Sequence, residues 1–239
     1  MKENRWGISG NFLKSIALIT MLIDHIGAVI VHRIISLPQF DGEFWTQLYY
    51  PLRSIGRVAF PIFLFLLVEG FLHTRKVTKY LGRLLIFAVI SEMPFNLAIA
   101  GSLWSFSYQN VYWELALGLV VIWLGRKMEE KPLHYSIQLV LKLLFLTAGM
   151  VLAEVLNLDY GLYGIFSVFV LYAARKNRIK QAVFGAVSFL WENPAPLAFL
   201  PVVFYNGKRG RGLKFAFYIF YPAHLLILYL IARAIGCPY

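Results

Sequence analysis

LKSIALITMLIDHIGAVIV, residues 13–31, has the length and apolar character of a helix that crosses a hydrocarbon core, yet Asp24 and His25 stand side by side within it. The chain around it has 239 residues, of which 59% are hydrophobic and 15% charged. Soluble domains run nearer about half apolar and about a quarter charged, so both figures lead away from a water-soluble fold. Further apolar runs of similar length follow, and no polar stretch is long enough to enclose a core of its own. The reading is an all-α polytopic membrane protein, a single integral membrane domain over residues 1–239. The first run is expected to stay as a span, because Asp24 and His25 interrupt it and no small-x-small cleavage site follows.

Nine spans are expected, at about 11–33, 55–73, 79–100, 108–125, 136–156, 160–174, 179–191, 195–206 and 214–235, with the seventh and eighth short or re-entrant. The connections alternate in charge. Lys2, Arg5 and Lys14 precede or open the first span, and Arg75, Lys76, Lys79 and Arg83 follow the second. Arg126, Lys127 and Lys131 follow the fourth, Arg175, Lys176, Arg178 and Lys180 the sixth, and Lys208, Arg209, Arg211 and Lys214 the eighth. The connections at 101–110, 156–160 and 191–196 hold no Lys or Arg. By the positive-inside rule the N-terminus is cytoplasmic and the C-terminus faces out. Residues 34–54, where Arg53 is offset by Asp41 and Glu43, read as an outer loop. The same rule accounts for the net charge of +11, so the bilayer is the expected partner and nucleic acid is not. Cys237 is the only cysteine, which excludes a disulfide within the chain, and a thiol nucleophile is not expected there. No metal site is expected.

An ionisable side chain inside a span is costly and by default marks function. Asp24 and His25 fall in the outer half of an outward-running helix, and Arg57 opens the second span from the outer side. Glu92 and Asn96 sit near the outer end of the third span, Asn110 and Glu114 at the start of the fourth, and Asp159 before the sixth. Glu192 and Asn193 occupy the turn after the seventh, and His224 lies mid-way along the ninth, two residues after Pro222. The outer half thus gathers acids, amides and histidine, while the inner rim gathers cations. Glu114, Asp159 and Glu192, at span ends, fit the headgroup zone equally well, and His32, His73 and His134 are read as structural. Neighbouring residues on a helix diverge by about 100°. One arrangement therefore has His25 facing a central cavity while Asp24 pairs with a cation such as Arg57.

LKSIALITMLIDHIG resembles the opening signature of the TraX family, membrane proteins associated with N-terminal acetylation of conjugative pilin. GRVAFPIFLFLLVEGFLHTRKVTKYLGRLL, SEMPFNL, QNVYWELALGL, DYGLYG and FYPAHLLIL resemble its later blocks, in the same order, so the similarity runs from about residue 11 to about 230. The first block is also similar to the start of acyltransferase family 3, in which a helix opens on a basic residue and ends in a membrane-embedded histidine. Lys14 and His25 hold those positions here, and Arg75 to Arg83 resembles that family's cytoplasmic Arg/Lys element with a different spacing.

The resemblance implies acetyl transfer from cytoplasmic acetyl-CoA to an amine or hydroxyl acceptor on the outer side, in the cytoplasmic membrane of a bacterium. A pilin N-terminus, a glycan and a lipid-linked substrate are all open as acceptors. His25 would act as general base, Asp24 would order the site, and Arg57, Asn110 or His224 would steady the oxyanion. A variant has His25 or His224 carry the acetyl group covalently. Lys14, Arg57, Arg75, Lys76 and Arg83 would face the donor, whose phosphates suit Lys and Arg. Glu92, Asn96, Asn110 and Asp159 would face the acceptor. Two other classes fit the intramembrane acids and histidines: a proton-coupled transporter, and a non-catalytic assembly factor for the envelope or pilus.

Overall fold

The computed structural model describes residues 7–210 and 216–236. Lys2, Arg5, Arg211, Lys214 and Cys237, which enter the readings above, lie outside the described residues. Regular structure among the described residues is helical, apart from isolated bridges between Ile8 and Tyr205 and between Gln109 and Leu158. In chain order the helices are α1 (Gly10–His25), a π-helical segment Ile26–Val31, α2 (His32–Ile34), α3 (Gly42–Gly56), α4 (Ala59–His73), α5 (Val77–Ala100) and α6 (Val111–Glu129). Then come α7 (Tyr135–Val155), α8 (Gly161–Ala173), α9 (Arg178–Ser188), a 3-10 turn Ala195–Ala198, α10 (Phe199–Val203) and α11 (Ala216–Ala234). Short polar side chains set several starts. Ser9 accepts the Phe12 amide at 3.3 Å, and Asp41 accepts those of Glu43 and Phe44 at 3.0 and 3.3 Å. Asn110 and Asn177 cap α6 and α9 in the same way.

Five helical runs are long and apolar enough to cross a membrane: Gly10–Ile34, Gly42–His73, Val77–Ala100, Tyr135–Val155 and Ala216–Ala234. The chain is a multi-pass membrane protein by these runs. Large apolar side chains such as Ile86, Val89, Leu144 and Ile219 stand exposed along them, as a lipid-facing surface requires. The nine-span expectation is met in part. The segment at 108–125 is the 19-residue α6, with Glu114 near its start and Arg126 and Lys127 at its end. Those at 160–174, 179–191 and 195–206 are helices of 13, 11 and 5 residues, the last preceded by the 3-10 turn. One reading is corrected: much of 34–54 is not a loop but α3, opened by the Asp41 cap and carrying Pro51 within it.

The chain divides into two compact units. The first comprises Met1–Phe63, Ile90–Ser105 and Leu190–Tyr239; the second comprises Leu64–Val89 and Phe106–Phe189. In the first, α1 and the π-helical segment pack against both α3 and α11. The start of α1 is stitched to residues 204–210: Ile8 N–H donates to Phe204 O at 3.0 Å, Gly10 N–H to Lys208 O at 2.8 Å and Asn11 N–H to Arg209 O at 2.8 Å. In the second, α6, α7 and α8 pack together and α9 packs on α8. Small residues let these backbones close up, Gly118 against Val168 and Gly149 against Val121 and Ile165. Buried Glu69 binds Arg178 at 3.1 Å, and Glu129 binds both Arg175 at 2.6 Å and Lys142 at 3.0 Å.

Gly149→Leu is expected to lower the thermal unfolding temperature of the detergent-purified protein, because even a Cβ there would run into Val121; overpacking of this kind costs about 1–3 kcal/mol. Gly82→Ala, where nothing lies within 4 Å, is expected to leave the melt unchanged or raise it.

Candidate active site

His25 is the last residue of α1, immediately before the helix widens into the π-helical segment. π-Helical turns are rare and concentrate at functional sites. Its ring faces α11, where His25 Nδ1 lies 2.6 Å from His224 Nε2 with the two rings nearly parallel at 11°. On its other nitrogen, His224 Nδ1 lies 2.7 Å from the carbonyl of Phe220, one helical turn earlier. The Phe220 ring stacks on His224 at 4.8 Å between centroids, and Tyr221 meets both imidazoles edge-on. His224 is 5% exposed and His25 is half-buried.

A carbonyl oxygen only accepts, so the Phe220 carbonyl fixes the proton order of the uncharged pair. His224 must carry its proton on Nδ1 and donate it to Phe220. His224 Nε2 then holds a lone pair and accepts, so His25 must donate from Nδ1. This leaves the lone pair of His25 on Nε2, which has no partner among the described residues. The arrangement is a base whose tautomer is set by its neighbour, the role that an orienting group plays for any general-base histidine.

Asp24 points the other way, toward α3, as the angle between adjacent helical residues requires. The pairing is corrected from the one read in the sequence. Asp24 Oδ2 binds Arg53 Nη1 at 2.6 Å, while Arg57 Nη1 binds Glu192 Oε1 at 2.7 Å. Gly56 is why Asp24 fits, since a Cβ there would collide with the carboxylate. Arg53 and Arg57 are one turn apart on the same face, so each guanidinium reaches a different carboxylate. Burial lifts the Glu192 carboxyl above its ordinary value, with Arg57 pulling the other way. His25 faces the His224 and Tyr221 rings where a central cavity was expected.

A family model, described as TraX protein, matches residues 9–232. The chain belongs to the TraX family. It is similar to a protein described as probable fimbrial assembly protein FimC, serogroup H1, of Dichelobacter nodosus, at 32% identity over 246 residues, covering 90% of this chain and 92% of that protein. No solved structure matches.

The remaining candidates of this TraX chain divide between the units. In the first, Lys14 places Nζ 5.2 Å from the centre of the Phe217 ring, and Glu92 and buried Asn96 lie on α5. In the second, Asn110 is fully buried as the cap of α6: it accepts the Tyr112 amide at 3.1 Å and donates to Ala88 O at 2.9 Å. Asp159 sits just before α8, near which buried Glu114 fills the space left by Gly164. Arg75 and Lys76 are exposed, while Arg83 lies 5.7 Å from the Tyr80 ring centre, and none of the three has an ion pair among the described residues. A cavity of about 600 Å³ in the second unit, walled by Leu81, Leu85, Trp113 and Leu117, has no ionisable side chain in its lining. No cluster of three or more metal-ligating side chains occurs among the described residues.

Arg53 is the main residue that the sequence reading missed, and Glu192 was read only as an end residue. The signal for Arg53 was present: Trp45, Tyr49, Leu52, Arg53 and Gly56 form one stripe at helical spacing. A double-mutant cycle of Asp24→Asn and Arg53→Gln is expected to show coupling of about 1–2 kcal/mol in thermal unfolding, the pair being mostly but not fully buried. Strict additivity would contradict the pairing.

Proposed function

We propose that this TraX-family protein is an integral membrane acetyltransferase that takes its acetyl group from cytoplasmic acetyl-CoA. The acceptor is an amine or hydroxyl at the outer side of the bacterial cytoplasmic membrane. The observation that carries the reading is the Nε2 lone pair of His25, which has no partner among the described residues and is oriented through His224. That nitrogen takes the proton of the attacking amine or hydroxyl as it adds to the thioester carbonyl. It returns the proton to the departing thiolate when the carbon–sulfur bond breaks. His224 spreads the charge gained by His25 over two rings, because the shared proton at 2.6 Å moves toward Nε2 as Nε2 of His25 fills.

Charge supports an anionic donor. Of the basic residues on the expected inner rim, Arg126, Arg175 and Arg178 are paired with Glu130, Glu129 and Glu69. Arg75, Lys76, Lys79 and Arg83 have no such partner among the described residues and form a local field that attracts phosphates. Lys14 stands eleven residues before His25, about 16 Å along α1 and nearly on the same face, which matches the reach between a phosphate and the end of a pantetheine arm.

The assembly reading has its own support, since the relative from Dichelobacter nodosus is described as a fimbrial assembly protein. Acetylation of an envelope component would serve assembly, so the two readings separate only at His25. Inside-out membrane vesicles from cells expressing the protein are expected to transfer label from [acetyl-14C]CoA to membrane or envelope material. His25→Ala is expected to reduce that transfer at least 100-fold while the protein still inserts at normal level. Transfer that survives His25→Ala overturns the enzyme reading, and pilus or envelope assembly that survives it supports the scaffold.

Donor capture gives a second test. Arg75→Gln/Lys76→Gln is expected to raise KM for acetyl-CoA several-fold with kcat little changed, and the wild-type KM is expected to rise with salt. A KM that moves with neither would remove this element from the donor's path.

A further inference from the structure

We propose that Arg53 is the anion-binding residue of the imidazole site, its guanidinium receiving the acyl oxygen as that oxygen becomes negative. The assignment rests on the acetyl-transfer reading above. Three groups named from the sequence for this task are already engaged. Both nitrogens of His224 are used, one toward Phe220 and one toward His25. Asn110 is held as a helix cap in the second unit. Arg57 is bound to Glu192 at 2.7 Å. Arg53 differs: Nη1 meets Asp24 Oδ2 at 2.6 Å, and its other guanidinium N–H groups have no partner among the described residues.

The surroundings hold Arg53 against the segment that carries His25. Its aliphatic stem crosses Gly27, two residues beyond His25, where an added Cβ would lie 3.5 Å from Arg53 Cδ and 3.7 Å from Cγ. Its head is gripped by Asp24, the residue immediately before His25. The segment that carries His25 thus meets one arginine on either side of the histidine in sequence, at Asp24 and at Gly27. A partly buried guanidinium of this kind is a preorganised donor, worth more here than in water because it need not reorient when the charge appears.

The acceptor lone pair forms a bond to the thioester carbon, the carbonyl π pair moves to oxygen, and Arg53 hydrogen-bonds that oxygen. His25 Nε2 takes the acceptor's proton. The oxygen pair then re-forms the carbonyl, the carbon–sulfur bond breaks, and the thiolate leaves with the proton from His25. Asp24 keeps Arg53 in register and touches no reacting atom, so it is a positioning residue.

The test uses the full-length protein in inside-out vesicles with [acetyl-14C]CoA. R53Q is expected to lower kcat by roughly 10²–10³-fold with KM for acetyl-CoA within about threefold, the size seen when one oxyanion donor is removed. R53K, which keeps the charge and a bond to Asp24 but loses the planar fork, is expected to fall between R53Q and wild type. Guanidinium chloride at millimolar levels is expected to restore part of the rate of R53A, a rescue that a purely structural role would not give. Should R53Q fail to accumulate, R53K and the rescue carry the decision. Active wild type with R53Q within threefold of it overturns the Arg53 role alone. Wild-type vesicles that transfer no label overturn the acetyl-transfer reading and this assignment together.

Discussion

The hydrogen bond from His224 to the carbonyl of Phe220 is the constraint on which the site depends. It is an ordinary helical contact, a side chain reaching back one turn, but it removes the freedom of every proton downstream of it. Without it, His224 would adopt either tautomer, and His25 Nε2 would be as often a donor as an acceptor. With it, His25 Nε2 is the nitrogen of the uncharged pair whose lone pair has no partner among the described residues. The aromatic rings of Phe220 and Tyr221 reinforce this by confining both imidazoles.

The surrounding packing serves that arrangement. Gly56 lets α1 and α3 approach closely enough for Asp24 to hold Arg53, and at Gly27 an added Cβ would lie 3.1 Å from Leu52 Cβ of α3. The widened segment begins directly after His25, so a change in helical phase separates the histidine from the rest of the span. Polar groups within a membrane are tolerated when partnered, and here the two carboxylates and two guanidiniums compensate one another in charge. The imidazole pair completes the site without adding charge of its own while uncharged.

Much of this was legible in the residues. An apolar run that retains Asp24, His25 or His224 advertises them, and the angle between helical neighbours assigns Asp24 and His25 to different partners. The family resemblance was equally plain in separate blocks along the chain. Arg53 was not read correctly, because the polar residues of 34–54 lower the average hydropathy and disguise a helix whose inward stripe is regular. The π-helical segment left no local trace, since Ile26–Val31 is as compatible with an α-helix. Nor can the partner of His25 be deduced from sequence: the two histidines are 199 residues apart, and only packing of α1 on α11 brings them together. The cations offered a similar lesson. Counting them gave an expected orientation, but which of them pair with carboxylates depended on what the fold placed beside them.

Nitrogen NMR of selectively labelled histidine reads the proton order of the imidazole pair directly. In the uncharged protein, His25 and His224 should both show protonated Nδ1 and unprotonated Nε2, with a coupling across the hydrogen bond between His25 Nδ1 and His224 Nε2. A His25 protonated on Nε2 in that state, with its lone pair turned toward His224, would contradict this proton order.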